Sequence, residues 1–283
     1  MDNTNKYPVN KVTNHEKLLL GKRLLVCGKG GSGKSSFITL MGRVLLEKGF
    51  KVIMLDGDAS NPGGLVRLLF GVKKGPAPLI EFFGGRGMVG CPVDNPCPLT
   101  RLNDKVPLIQ KQIRIEEIPK KYTMEEGDLV LLQGGKILNA YEGCDGPMTK
   151  VSRDFIVGGE HVTLIDVEAG IEHFGRGIEK NIDVIIVIVD PTYESFLIAE
   201  KVAKLALQME KRNVWAALNR VRTAEMRDEM NKELKKRHVN VLGCVSYDKQ
   251  VEWAGFTGKR IERCKAFEEV KNMVENLTEN LRK

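Results

Sequence analysis

Seven short aliphatic and β-branched runs, 23–27, 52–56, 129–133, 162–167, 184–189, 215–219 and 239–245, recur along the chain with helix-patterned stretches between them. Runs of this length read as strands, and strands that alternate with helices are joined by crossovers that leave successive strands parallel. A parallel sheet is covered on both faces, which suits near-continuous apolar runs such as the one at 184–189. The expected fold is therefore α/β, a mostly parallel central sheet with helices on both faces. With 283 residues, 42% of them apolar, the chain can fill such a core. Between Phe70 and Pro107 the periodicity fails and Gly, Pro and Cys accumulate, so an irregular insertion is expected at about 71–107. No repeat, linker or shift in composition marks a boundary, and a single domain over 1–283 is the economical expectation.

The formal charge of +7 is spread in alternation with acids rather than gathered in a block, which reads as a solvated surface and predicts no nucleic-acid partner. No apolar run reaches the ~18 residues of a membrane helix, and the opening segment lacks a signal peptide's apolar core. A cytoplasmic protein without a membrane partner is expected. Phe267, Val270, Val274, Leu277 and Leu281 fall at helical spacing opposite a face of Glu and Asn, which predicts packing on the sheet rather than on anionic lipid. Of the six cysteines, Cys27 and Cys244 lie in strand runs and are expected in the core. Cys91, Cys97 and Cys144 lie in Gly/Pro-rich stretches, where packing gives a thiol no purpose, and a reducing compartment argues against disulfides.

Gly28-Lys29-Gly30-Gly31-Ser32-Gly33-Lys34-Ser35 satisfies G-x-x-x-x-G-K-[ST] between a strand and a helix. Its glycines let the backbone N–H groups from Gly30 to Ser36 turn onto phosphate oxygens, and the helix that follows adds its positive end. Lys34 is expected to reach the β and γ phosphates of ATP, and the Ser35 hydroxyl to bind Mg²⁺. Asp56 and Asp58 follow the second strand at its carboxyl end, where open α/β sheets bind ligands. Asp58 is expected to orient the attacking water and Asp56 to support Mg²⁺. Asp166 closes the run VTLID ahead of Glu168, Ala169 and Gly170, which predicts a second acid holding Mg²⁺ and a glycine able to swing toward the γ phosphate.

With Lys29 inside the loop, K-G-G-S-G-K-S resembles the deviant Walker A motif of the group that includes MinD, ParA, ArsA and the nitrogenase iron protein. That resemblance implies ATP hydrolysis by a homodimer formed with ATP, in which Lys29 crosses to the partner's nucleotide. A cation so placed neutralises charge developing on the transferred phosphoryl group. Asn219-Arg220 resembles the group's base-recognition position, where a side-chain amide offers the adenine edge both donor and acceptor. The segment at 166–199, DVEAGIEHFGRGIEKNIDVIIVIVDPTYESFLIA, resembles the CooC-type ATPases implicated in nickel insertion into carbon monoxide dehydrogenase. Resemblance extends over 24–247 and is most specific at 168–177, where His173 reads as a helix-surface residue or a support for a ligand.

CooC-type proteins carry a C-x-C pair ahead of the Asp166 position, and this chain reads Glu142-Gly143-Cys144-Asp145-Gly146-Pro147-Met148 there. One cysteine is missing. Two copies of Cys144 supply two thiolates, short of the four of a closed zinc site or an iron–sulfur cluster, and Cys91 or Cys97 from each subunit would complete the set. The implied function is a dimeric ATPase that inserts nickel, zinc or a cluster held at the dimer interface into a client metalloenzyme like carbon monoxide dehydrogenase. Two alternatives stay open. One is an electron donor resembling the nitrogenase iron protein, with a subunit-bridging iron–sulfur cluster. The other is a MinD/ParA-like positioning switch, which needs a basic DNA-binding face or a membrane helix.

Overall fold

Every residue of the first strand, β1 (Arg23–Gly28), is buried, as befits a strand covered on both faces. The computed structural model describes residues 12–13, 16–102 and 104–282, and the opening segment read for a signal peptide falls largely outside them. The remaining strands are β2 (Val52–Asp56), β3 (Met124–Glu126), β4 (Leu129–Gln133), β5 (Val162–Asp166), β6 (Val184–Val189), β7 (Val214–Val221) and β8 (Val241–Ser246). They form one sheet in the order β3-β4-β2-β5-β1-β6-β7-β8, parallel except for β3. All seven expected strands are present, with ends moved by a residue or two. The unexpected β3, Met-Glu-Glu, has no apolar run to announce it and exists through its antiparallel pairing with β4 at the sheet edge.

Between the strands run α1 (Lys34–Glu47), α2 (Gly64–Phe70), α3 (Leu79–Phe82), α4 (Arg86–Val89), α5 (Gly146–Asp154), α6 (Glu172–Gly175), α7 (Tyr193–Gln208), α8 (Ala224–Lys236), α9 (Lys249–Thr257) and α10 (Lys265–Asn280). Alternation along β1 sends Leu24 and Val26 to a layer with α1, α2 and α10, and Leu25 and Cys27 to a layer with α5, α7 and α8. Each fully buried aliphatic side chain in these layers contributes about 1.5–3 kcal/mol. The α10 face of Phe267, Val270, Val274 and Leu277 is buried as its spacing predicted. No helix among the described residues is long and apolar enough to cross a membrane. Cys27 is buried, whereas Cys244 departs from the expectation and is only half-buried, because β8 is the outermost strand.

The segment at 71–107 holds the short helices α3 and α4 and several apolar anchors. Leu79, Phe83, Val89 and Leu99, with Leu108 just past the segment, pack in the same cluster as Met148, Val151 and Phe155, on and just beyond α5. The Leu99 N–H donates to Asp154 Oδ2 at 2.9 Å, and Lys150 Nζ donates to the Asn95 carbonyl at 3.0 Å. The same C-terminal end of α5 is tied to β1. Arg23 donates to the Ser152 and Phe155 carbonyls at 2.9 and 2.8 Å, which satisfies groups a helix terminus leaves open.

Candidate functional site

The carboxyl ends of β1, β2, β5, β6 and β7 open on one rim, beside the point where the strand order reverses about β1. The loop after β1 enters α1 through Gly33, whose φ of 95° is left-handed and whose added Cβ would lie 2.3 Å from Asn219 Nδ2. No side chain caps α1, so its first N–H groups are left for another acceptor. Lys34 is buried, with Nζ 3.4 Å from the Lys29 carbonyl. Lys29 turns back onto its own chain, donating to Thr192 Oγ1 at 3.0 Å and standing 3.8 Å from Asp190 Oδ2.

Ser35 Oγ donates to Asp166 Oδ2 at 2.8 Å, while Asp166 Oδ1 is buried with no hydrogen-bond partner. Register sets Asp56 directly beside Asp166. Burial, reinforced by the charge of Asp56, pushes the Asp166 carboxyl up to about 7 against the pull of Ser35 and Lys34. A hydroxyl beside an unpartnered carboxylate oxygen is a donor set that suits a hard divalent cation such as Mg²⁺. Asp56 is committed otherwise than expected. Its Oδ1 takes an ion pair from Lys136 at 2.8 Å and its Oδ2 accepts from the Leu65 N–H, so any support of Mg²⁺ from Asp56 competes with a resident cation. Asp58 Oδ1 accepts from the Ser60 N–H and hydroxyl and from the Asn61 N–H at 3.0, 2.7 and 3.2 Å, which fixes the turn after β2.

Beyond Gly33 lies a cleft of about 620 Å³ lined by Phe37, Asn219, Arg222, Tyr247, Asp248 and Phe256 among others. An irregularity in the β7–β8 ladder between Leu218 and Val221, with Arg220 at φ 59°, aims two side chains at the glycine loop. Asn219 Nδ2 donates to the Ser32 carbonyl at 2.7 Å and Arg220 Nη1 to the Gly31 carbonyl at 2.6 Å. The pair expected to recognise the base clamps the loop in this structure. Sequence reasoning missed Lys136, Asp190, Thr192, Arg222 and Tyr247. Each follows a strand's carboxyl end or closes one, and that position was the signal available.

A second polar cluster joins the turn before α5 to the segment after β5. Arg176 Nη1 pairs with Asp145 Oδ2, and Thr149 Oγ1 donates to the same oxygen at 3.0 Å. Burial works to raise the Asp145 pKa, but Arg176 and Thr149 hold it below the carboxylate range. Burial and then the charge of Asp145 raise that of neighbouring Glu168. His173 is not on the surface but buried against Phe174, ring centres 5.0 Å apart, and burial with the charges of Lys34 and Arg176 pushes it down to about 3. Cys91 is half-buried, and Cys97 and Cys144 are exposed. Among the described residues no group of three or more His, Cys, Asp or Glu side chains is arranged to hold a metal ion.

Sheet order, glycine loop and paired acids together define a P-loop nucleotide-binding fold of the deviant Walker A type. Residues 24–261 match the CobQ/CobB/MinD/ParA nucleotide binding domain, and the chain belongs to that family. It is 35% identical to the uncharacterized ATP-binding protein MJ0084 of Methanocaldococcus jannaschii, over 90% of this chain and 99% of that one. It is 25% identical to the carbon monoxide dehydrogenase accessory protein CooC of Rhodospirillum rubrum, over 70% of this chain and 74% of that one. Among solved structures, the septum site-determining protein MinD of Pyrococcus horikoshii, complexed with Mg-ADP, shares the fold with a TM-score of 0.62 at 16% identity, over 90% of this chain and 94% of that one.

Proposed function

We propose that the chain is a cytoplasmic ATP-hydrolysing switch that dimerises with nucleotide and delivers a soft metal ion or metallocluster to a metalloenzyme like carbon monoxide dehydrogenase. The observation that carries the nucleotide half is the meeting of the glycine loop with Asp166, where Ser35 engages one carboxylate oxygen and the other is buried unpartnered. Backbone N–H groups from Gly30 to Ser36 take the phosphate oxygens, and Lys34 exchanges the Lys29 carbonyl for the β and γ phosphates. Ser35 and Asp166 would hold Mg²⁺, which when bound neutralises charge across those phosphates. Asp58 positions the attacking water, and the base lies in the cleft against Asn219. Lys29 leaves Thr192 and Asp190 to reach the nucleotide of a second copy.

The cargo half is supported by the likeness to CooC and by the cluster that links Cys144, through the adjacent Asp145, to Glu168 and Arg176 beyond β5. A change of nucleotide state at Asp166 is two residues from Glu168 and so bears on the cysteine turn. Lys29→Ala tests the switch. The variant is expected to bind ATP within a few-fold of the parent by calorimetry, yet to lose ATP-driven dimerisation by light scattering and phosphate release together. Normal dimerisation and turnover in this variant would reduce Lys29 to a loop lysine held by Thr192.

A further inference from the structure

Cys91 sits in the irregular insertion and Cys144 in the turn before α5, yet their sulfurs lie against the same α-carbon. A Cβ added to Gly146 would lie 2.8 Å from Cys91 Sγ and 3.3 Å from Cys144 Sγ. Gly146 does not have a left-handed φ, so its backbone suits any residue and the lack of a side chain matters for the space it leaves. That space is where both sulfurs are. The arrangement is pinned from both sides. Asn95 donates its N–H to the Cys91 carbonyl at 2.7 Å while Lys150 of α5 holds the Asn95 carbonyl. Arg86 donates to the Cys144 carbonyl at 2.5 Å.

We infer that Cys91 and Cys144 of one protomer form a dithiol site for a thiophilic metal ion, Cys91 supplying the second sulfur beside Gly146. The pair stands at the N-terminal end of nine-residue α5, with the Arg86 and Lys150 side chains nearby. Burial pushes the Cys244 and Cys264 thiols up to about 11, which keeps them protonated at neutral pH. Thiolate–zinc bonds are about 2.3 Å long, so two sulfurs share one ion only when they lie within about 4.6 Å of each other. No third ligand closes the site among the described residues, and an ion held by two thiolates keeps coordination positions open for transfer. In a two-fold dimer a second copy's pair would bring the count to four. Met88, Val93, Leu138 and Tyr141, which flank the two cysteines in sequence, are exposed and give a second copy an apolar surface to cover. This site deepens the cargo reading above and rests on it for the ion's purpose, while the pairing rests on the geometry of one chain.

The test is an anaerobic cadmium titration of the reduced, nucleotide-free, full-length protein, followed by thiolate-to-cadmium charge-transfer absorbance in the ultraviolet. Cys91→Ser and Cys144→Ser are each expected to lose about half or more of the band and at least ~10-fold in affinity. Cys264→Ser is expected to titrate as the parent. Gly146→Ala keeps both thiols but puts a methyl between them, and should weaken binding as well. Gly146→Cys in the Cys91→Ser background fills the vacated space with a sulfur and should restore the band. A parental band in Cys91→Ser, or no rescue by Gly146→Cys in a variant that melts like the parent, overturns the pairing. Because no nucleotide is present, such a failure leaves the ATP switch standing. A normal titration whose metal is retained identically with and without Mg-ATP keeps the site and sinks the cargo reading.

Discussion

Around the phosphate loop, polar side chains meet from the carboxyl ends of five neighbouring strands, whereas around Gly146 two sulfurs are brought together by an irregular segment pinned to one helix. In the first region the sheet fixes the geometry. Asp56 and Asp166 are side by side because β2 and β5 are in register, and Asn219 reaches Ser32 because the β7–β8 ladder breaks at the right residue. In the second, position depends on a few anchors, Leu99 to Asp154 and Lys150 to Asn95 among them, with little regular structure behind them. A catalytic constellation needs the tolerance of the first, while a site that exchanges cargo is better served by the second. The contrast predicts that the two regions fail separately.

Lys34→Ala should have the largest effect. Removing the buried cation from the phosphates is expected to cost about 2–5 kcal/mol, or ~30-fold to a few thousand-fold in ATP affinity by calorimetry. Cadmium binding at Cys91 and Cys144 should not change. Retained ATP affinity would undo the phosphate-loop assignment, and a parallel loss of cadmium binding would mean that the regions are one unit.

Asp166→Asn comes next. The Asp166 carboxyl binds its proton more tightly in the folded chain, at about 7 against an ordinary 3.8. Its contribution to stability is therefore full below about 3.8 and lost as pH rises through about 7. The nucleotide-free parent should weaken across that window. Asn, which stays neutral, should remove this part of the slope and leave the variant more stable than the parent above about 7, by on the order of 1–4 kcal/mol. Binding of Mg-ATP by the parent should release a proton near that pH, which calorimetry in buffers of different ionisation enthalpy measures. An unchanged slope in the variant would mean that Asp166 is already ionised in the nucleotide-free protein.

What was legible in the sequence follows the same division. The glycine loop, the seven strands and the acids at positions 56, 58 and 166 are local patterns, each complete within about ten residues, and local patterns survive folding. Lys136 was not legible because its tie to Asp56 depends on β4 lying next to β2, an order that no single segment states. The clamp that Asn219 and Arg220 place on the loop needed the break in the β7–β8 ladder, and β3 needed its partner. The cysteine stretches were visible as thiols without a packing purpose, but the nearness of Cys91 to Cys144 required the insertion to be laid on α5. His173 was legible only as a lone histidine, on the helix surface or supporting a ligand, and its burial against Phe174 removes the surface option.

The smallest effect sharpens the comparison most, because it falls on the residue between the two regions. Asp145 follows Cys144, precedes α5, and accepts from Arg176 and Thr149 while sharing its surroundings with Glu168. Asp145→Asn keeps the shape and removes the charge. With Asp145 12% and Arg176 21% exposed, the partly buried pair should be worth about 1 kcal/mol in chemical denaturation at neutral pH. The Asp145 carboxyl is held below its ordinary 3.8, so this contribution is present above that value and lost as pH falls through the lowered one. Parent and variant should therefore converge in acid. Glu168, relieved of a neighbouring negative charge, should ionise more readily in the variant. If the pair transmits nucleotide state, Mg-ATP should change the alkylation rate of Cys144 in the parent, read by mass spectrometry, and change it less in Asp145→Asn. Equal responses in the two proteins, at equal nucleotide occupancy, would show that Asp145 and Arg176 serve stability alone and that any coupling runs by another route.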